Sequence, residues 1–347
     1  MITAICCMLC LYSYGQTISY ATNGPRSGDK YKMEVVPFFS DGERGTDALW
    51  DFSSLRGNGE SIDIEYFYGK DFVLMSVDTK TIRKYDLTED TLKLIGYENP
   101  LSHVDYTTPI ALVSYPFNYG YSITNNYEGE GTYCKTLNIR NRGTYIVEAD
   151  AEGVLVSHEG DTLKNILKIH MTRVSSLSMH AKTDTLFEDT ARMKQEIEET
   201  CQWYARGYRY PLYETISTTY YDNMTQVSCI QNAYRYMTEE QSMMKDSVNE
   251  EILQRDSLAA IAEKDIIHYS VDMSGSNLTI SYDLDEDASI NAMVCSKMGV
   301  LYMRKSERQP AGTDYQLSFD CTGVRHDDYI LYLNVNGKVY SEKFNVK

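Results

Sequence analysis

Side chains able to do chemistry are plentiful in this chain, but few stand at a spacing that commits them. Fifty Asp and Glu residues supply carboxylates for acid–base work on a glycosidic bond, which needs two of them at a set separation in space. Linear order singles out no pair. The histidines His103, His158, His170, His180, His268 and His326 are scattered. Nucleophile elbows, P-loops, dinucleotide fingerprints and HExxH helices do not occur. Cys134 has no histidine at a fixed spacing, so a Cys–His pair would exist only in space. Asp283, Asp285 and Asp287 alternate like the start of a calcium loop. Ala288 and Val294 stand where an EF-hand carries Gly and Glu, so an acidic turn is expected instead. No cofactor is implied.

Flat rings beside amides are the best binding candidates. Trp203, Tyr204, Tyr208, Tyr210 and Tyr213 form one cluster. Asn118, Tyr119, Tyr121, Asn125, Asn126 and Tyr127 form a polar-aromatic loop. Rings stack on sugar faces and amides bond hydroxyls, which makes carbohydrate or another cell-envelope component the expected partner. The competing role of the first cluster is packing between a helix and a sheet, the usual work of buried aromatics. For the second it is an ordinary hairpin tip.

The elements that would hold these residues are mostly strands. Ile62, Ile64, Tyr66 and Tyr68 alternate with polar residues, as do Leu167, Ile169 and Met171. Asn58-Gly59 and Glu152-Gly153 read as turns. Thirty tyrosines suit strands whose rings pack while their hydroxyls stay wet. An N-terminal antiparallel β-sandwich-like domain over 16–190 is expected. Met193, Ile197 and Tyr204 then fall on a helical spacing, so a helix is predicted over 187–206, ending near Gly207. Residues 230–264, without Gly or Pro, read as a second, spacer helix. The helical segment as a whole covers 191–265. Seven strands are predicted over 266–271, 278–284, 289–296, 300–305, 315–321, 329–335 and 338–346. Asn336-Gly337 between the last two signals a type I′ hairpin. That makes a C-terminal immunoglobulin-like seven-stranded sandwich over 266–347. The fold class is mainly β with a helical middle segment.

Residues 1–15 carry no charge and hold the apolar run Ile2, Ala4, Ile5, Cys6, Cys7, Met8, Leu9, Cys10 and Leu11, followed by Ser13-Tyr14-Gly15. A signal peptide over 1–15, cut before Gln16, is expected. No other segment is apolar enough for a transmembrane helix. Past residue 15 the cysteines are Cys134, Cys201, Cys229, Cys295 and Cys321, an odd number. They make no CxxC pair, so no metal site is expected. Cys201 and Cys229 flank a Tyr-rich stretch and could bridge in an oxidising compartment. A formal charge of −17 opposes binding to nucleic acid.

The C-terminal stretch resembles the sorting domains of Bacteroidetes proteins exported by type IX secretion. The matching pieces are Leu278-Thr279-Ile280-Ser281-Tyr282, Ser296-Lys297-Met298-Gly299-Val300, Tyr329-Ile330-Leu331-Tyr332-Leu333-Asn334-Val335-Asn336-Gly337-Lys338 and Glu342-Lys343-Phe344-Asn345-Val346-Lys347. Where that family opens on Pro-Asn-Pro, this chain has Met273-Ser274-Gly275-Ser276, and Asp328 replaces a Gly. Ala48-Leu49-Trp50-Asp51-Phe52-Ser53-Ser54-Leu55 and Gly207-Tyr208-Arg209-Tyr210-Pro211-Leu212 are similar to segments of uncharacterised secreted proteins of that phylum. The resemblance implies export, to the periplasm, the outer-membrane surface or the medium. It also implies O-glycosylation at Asp-(Ser/Thr)-apolar signals, present at Thr91, Thr162, Thr185, Thr190, Ser247 and Ser257. Composition alone gives roughly one or two such matches.

The expected function is a non-catalytic secreted or cell-surface protein for binding or envelope scaffolding. The alternative is a secreted polysaccharide hydrolase using carboxylates. Glycosylation predicts an intact mass above that of the processed chain when the protein comes from its native host. A bare mass would eliminate the modification.

Overall fold

The computed structural model describes residues 16–70, 73–182, 194–222, 224–238, 244–262, 265–297 and 299–346. The expected signal peptide lies outside them. The first thirteen strands are β1 (Lys30–Val36), β2 (Gly45–Asp51), β3 (Ser61–Tyr68), β4 (Leu74–Asp78), β5 (Thr81–Leu87), β6 (Thr91–Glu98), β7 (Ser102–Ser114), β8 (Ser122–Tyr133), β9 (Leu137–Val156), β10 (Thr162–Ala181), β11 (Lys194–Tyr204), β12 (Tyr213–Asp222) and β13 (Thr225–Tyr236). All except β2 join edge to edge, and the ring closes, giving a twelve-stranded antiparallel barrel. Strands follow one another around the wall in chain order, with β2 looped out. The seam is β1 against β13, where Met33 faces Tyr236 and Val36 faces Ala233. Closure leaves the wall no free ends.

The expected N-terminal sandwich is thus a barrel, and its wall runs on past residue 190 through Tyr236. Sandwich and barrel strands share the same two-residue alternation, so local pattern does not separate them. The helix expected over 187–206 is strand β11 over its described part, and 187–193 lies outside the described residues. The spacer helix expected over 230–264 is shorter: residues 230–236 belong to β13, and the helix, α2, spans Ser247–Ala262. Another helix, α1, is the single turn Tyr20–Asn23.

β2 lies outside the barrel, parallel to the end of β9, with Leu49 opposite Val154. Its side chains serve two cores. Ala48 and Trp50 face Trp203, Leu155 and Ile166 on the barrel wall. Leu49 faces the C-terminal module. Gly153 permits this approach, because a Cβ there would lie 1.9 Å from the carbonyl oxygen of Ala48. Glu152-Gly153, expected as a turn, is therefore a strand position against which β2 is laid.

The C-terminal module has seven strands: β14 (Ile267–Ser274), β15 (Asn277–Leu284), β16 (Ala288–Ser296), β17 (Leu301–Gln309), β18 (Gly312–Asp320), β19 (Asp327–Val335) and β20 (Lys338–Val346). They correspond one for one to the seven predicted. They form an antiparallel sheet β14-β15-β18 and another, β17-β16-β19-β20. Leu278, Ile280, Leu317 and Phe319 from the first meet Ile290, Val294, Leu331 and Leu333 from the second in one core. Asn336 and Gly337 both have positive φ, 48° and 87°, and Val335 pairs with Lys338. That is the two-residue hairpin turn expected, whose left-handed positions suit Asn and Gly.

The outer face of the four-stranded sheet carries Met293, Cys295, Ile330 and Tyr332, which pack on Leu49, Val154 and Val156. The Tyr332 hydroxyl donates to Asp51 Oδ2 at 2.6 Å, and both groups are buried. Arg304 reaches Glu43 and donates to the carbonyl oxygen of Asp47. Tyr332→Phe leaves the Asp51 oxygen without its donor. It should destabilise the folded chain by about 1–3 kcal/mol in denaturant titration.

Candidate functional site

Eight strands close around an interior that side chains can fill, and a wider ring leaves a bore. Here the twelve-stranded ring encloses a cavity of about 730 Å³. That lies in the range of small-molecule sites. Aliphatic side chains line part of it, among them Met33, Ile62, Ile64, Leu94, Ile110 and Ile169. Tyrosines supply much of the remainder: Tyr31, Tyr66, Tyr85, Tyr97, Tyr106, Tyr115, Tyr145, Tyr204, Tyr210 and Tyr234. Rings pack the wide bore and carry hydroxyls inward.

One end of the barrel is stoppered by residues 16–26 and 205–212. Ile18 bridges to Phe117 through paired backbone hydrogen bonds. Asn23 Nδ2 donates to the carbonyls of Tyr208 and Arg209. Tyr210 inserts between Tyr31 and Tyr66, with centroids 4.1 and 5.5 Å away, and its hydroxyl donates to Asp29 at 2.8 Å. The Arg209 guanidinium donates to Asp246 at 2.7 and 2.9 Å and to the carbonyls of Gly24 and Ala21. Burial acts to raise the Asp246 carboxyl, but hydrogen bonds from Arg209 and Asn249 outweigh it and hold the group below the ordinary carboxylate range. The cavity extends toward the opposite rim, where Thr79, Thr81, Asn99 and Tyr220 line it.

Charged groups face inward as well. Arg173 Nη2 donates to Glu196 at 2.7 Å and to Glu198 at 3.0 Å. Burial disfavours that guanidinium charge, yet the two glutamates outweigh it and raise the Arg173 pKa. Arg83 pairs with Asp78. Glu214 accepts from Gln202 Nε2, whose Oε1 accepts from the Tyr204 hydroxyl at 3.0 Å. Glu214 keeps some accessible surface, but that surface opens into the cavity and protein surrounds it. Burial therefore raises its pKa, with the Gln202 bond and Arg83 opposing the rise. Burial raises Glu196 too, against the pull of Arg173. Two further groups on the lining, the Tyr106 hydroxyl and Asn141 Oδ1, have no hydrogen-bond partner among the described residues, although each residue is only 6% exposed.

Away from the patch covered by β2, the outer wall along β8 and β9 has the opposite chemistry. β8 turns Ser122, Thr124, Asn126, Glu128 and Glu130 outward, and β9 turns out Arg140, Arg142, Thr144 and Glu148. A membrane-spanning barrel presents an apolar band there. A shallower hollow of about 550 Å³ lies at Gly143 and opens to solvent between Thr108, Asn126, Glu128 and Ser176. The enclosed lumen, with its mixed rings, aliphatic chains and charges, is the stronger candidate.

The aromatic residues singled out in the sequence are dispersed. Trp203 is 0% exposed and packs outside the barrel against Trp50, Phe39 and Phe52. Tyr213 shares that core, and its hydroxyl accepts from the backbone N–H of His158. Tyr208 is half-buried beside the same cluster. Tyr204 and Tyr210 line the lumen. Tyr119 and Tyr121 are exposed between β7 and β8, and Tyr127 is buried edge-on to Tyr106. Asn125 bonds both the N–H and the carbonyl of Ala111, a wall-bracing role. Thr91, Thr162, Ser247 and Ser257 stand at accessible or half-accessible positions, while Thr185 and Thr190 lie outside the described residues.

Cys201 and Cys229 are both free thiols. Cys201 is level with Thr215 and Ala233, and Cys229 lies four residues further along β13. That offset is about 13 Å along the strand and about 10 Å across two strands, beyond disulfide reach. Burial pushes the Cys201 thiol up to about 12. Asp283 and Asp287 accept from the backbone N–H groups of Asp314 and Ala311, and so cap a turn.

The inward carboxylates follow a period of two, which the helical spacing of Met193, Ile197 and Tyr204 conceals. Glu196, Glu198, Thr200, Gln202 and Tyr204 share one face of β11, and Ile197, Cys201 and Trp203 the other. No protein-family model and no curated protein matches the chain.

A raised Glu214 pKa means that the folded chain holds this proton more tightly than the unfolded one, whose glutamates titrate near about 4.3. The group's contribution is full below that pH and is lost as pH rises through the folded pKa. Glu214→Gln removes the loss. The variant should melt above the parent at about pH 8, with the gain shrinking toward about pH 4.

Proposed function

We propose that the protein is an exported, non-catalytic binding protein that encloses a small amphipathic molecule in its barrel lumen. The observation that carries this reading is the enclosed cavity of about 730 Å³, lined by rings and aliphatic chains with a few inward polar groups. Such linings bury an apolar body and orient it through sparse hydrogen bonds. The unpartnered Tyr106 hydroxyl and Asn141 Oδ1 are groups a ligand would satisfy. A cell-envelope amphiphile suits the aliphatic part of this lining better than a polysaccharide strand.

The C-terminal module is the attachment or sorting element in this reading. Its order β14-β15-β18 facing β17-β16-β19-β20 supports an immunoglobulin-like sandwich of the fibronectin type. The resemblance of its strands to sorting domains supports export, and the polar outer wall of the barrel accords with a soluble carrier.

One observation favours the hydrolase alternative. The lumen gathers Glu196, Glu198 and Glu214, two of them held above the ordinary carboxylate range. Against it, Glu196 and Glu198 lie on one strand face and share one guanidinium, so they do not flank a bond.

Lumenal binding is tested with the neutral fluorophore N-phenyl-1-naphthylamine. Its emission should rise on saturable binding to the wild-type protein. Met171→Trp, which pushes bulk into the bore, should weaken that binding by about 10-fold or more at unchanged secondary structure. Absence of saturable binding by the wild type would overturn the reading.

A further inference from the structure

We infer that the lumen selects an amphiphile with a cationic head, an alkylammonium or alkylamine, which Glu214 and the surrounding tyrosine rings receive. This inference rests on the lumenal binding proposed above and specifies the charge of its ligand.

The charge inventory of the cavity points to a cation. Four carboxylates line it, Asp78, Glu196, Glu198 and Glu214. The guanidinium groups facing them are Arg83 and Arg173, since Arg209 is held at the stopper by Asp246 and two carbonyls. Arg83 is taken by Asp78, and Arg173 is shared between Glu196 and Glu198. Among the described residues Glu214 has an amide partner, Gln202, and no ion pair of its own, with Arg83 acting on it only from beyond pairing distance. An enclosed carboxylate without a counter-ion is costly unless it is protonated or meets a cation.

The surroundings of Glu214 suit an organic cation. Tyr31, Tyr145, Tyr204 and Tyr234 all lie within electrostatic reach of its carboxylate and line the same cavity. Ring faces attract ammonium groups, most strongly where water is excluded, and quaternary ammonium ions are held in such aromatic enclosures. The Glu214 carboxylate, directly across the strands from Tyr234, adds a counter-charge among these tyrosines. The aliphatic residues Met33, Ile62 and Ile64 on the neighbouring strands β1 and β3 offer an apolar surface for a chain.

The same inventory rejects an anionic head. A fatty carboxylate would meet Glu214 and three further carboxylates. Arg83 keeps nitrogens that Asp78 does not take, but its charge is already met by Asp78, and the Arg173 guanidinium holds Glu196 and Glu198. Like charges at close range in a protein interior oppose binding strongly, so the discrimination is built from repulsion as well as attraction.

The test is competition against bound N-phenyl-1-naphthylamine on the full chain. Dodecyltrimethylammonium, dodecanoate and neutral dodecanol are compared at about pH 7.5. Dodecyltrimethylammonium should displace the fluorophore at a concentration at least about 10-fold below that of dodecanoate, with dodecanol between them. Glu214→Gln should bring the cation-to-anion ratio close to one. If that variant fails to fold, Tyr234→Leu, which removes a ring and keeps the carboxylate, should reduce the ratio. Equal competition, or preference for dodecanoate, overturns the cationic head and leaves lumenal binding standing. An unchanged ratio in a folded Glu214→Gln overturns the role of this residue. No fluorophore binding at all overturns both readings together.

Discussion

Closing twelve strands into one ring fixes a bore too wide for ordinary aliphatic packing, and much of the molecule answers to that constraint. A narrower barrel would be a core, whereas this one must be furnished. Long rings reach inward from nearly every strand, and where they do not meet, charged and amide groups occupy the remaining wall. The tyrosine-rich composition is the chemical expression of the geometry. The ring needs a side chain long enough to span the radius, stiff enough to lose little entropy, and polar at its tip. The stopper follows from the same width. Asn23, Arg209 and Tyr210 close an end that strands alone would leave open, and Asp246 beyond the last barrel strand anchors them.

Legibility in the sequence followed from which face of each strand meets an apolar neighbour. In the C-terminal module Leu278, Ile280, Tyr282 and Leu284 all enter one dry core while the intervening residues face water, so alternation is plain. Its seven strands and the Asn336-Gly337 turn were readable residue by residue. The barrel inverts this simplicity. On β11 the inward face carries two glutamates, a threonine and a glutamine, and the outward face is apolar only where β2 and Phe39 cover it. Neither face reads as a core, and Met193, Ile197 and Tyr204 then imitate a helical spacing. On β13 the stretch 230–236 mixes Ile230, Ala233 and Tyr236 with polar residues on both faces, so its strand alternation is equally faint. Ring closure itself leaves no local mark, because it depends on β1 meeting a strand two hundred or so positions away. The lumen could not be foreseen from residue types, since it is made by strands that are individually unremarkable in composition.

β2 shows how a short segment can unite parts with different tasks. Leu49 and Asp51 belong to the interface with the C-terminal module, and Ala48 and Trp50 to the outer core of the barrel. Alternate residues of one strand thus fasten two bodies together. Trp50 meets Trp203, whose chain neighbour Gln202 holds Glu214 inside the lumen. The tail is fixed to the same piece of wall that carries the most unusual carboxylate of the interior.

The seam between β1 and β13 also has a meaning for the newborn chain. β1 leaves the ribosome before the other strands of the barrel, and its second partner, β13, is the last of them to appear. Until Tyr236 has been made, the growing meander remains a curved sheet with two raw edges, its tyrosine face open to water. A polypeptide with that layout cannot finish its largest domain from the front. It passes most of its synthesis in a sticky, incomplete form, in the regime where escorting chaperones act. The same delay keeps the chain an open sheet until its last barrel strand is complete.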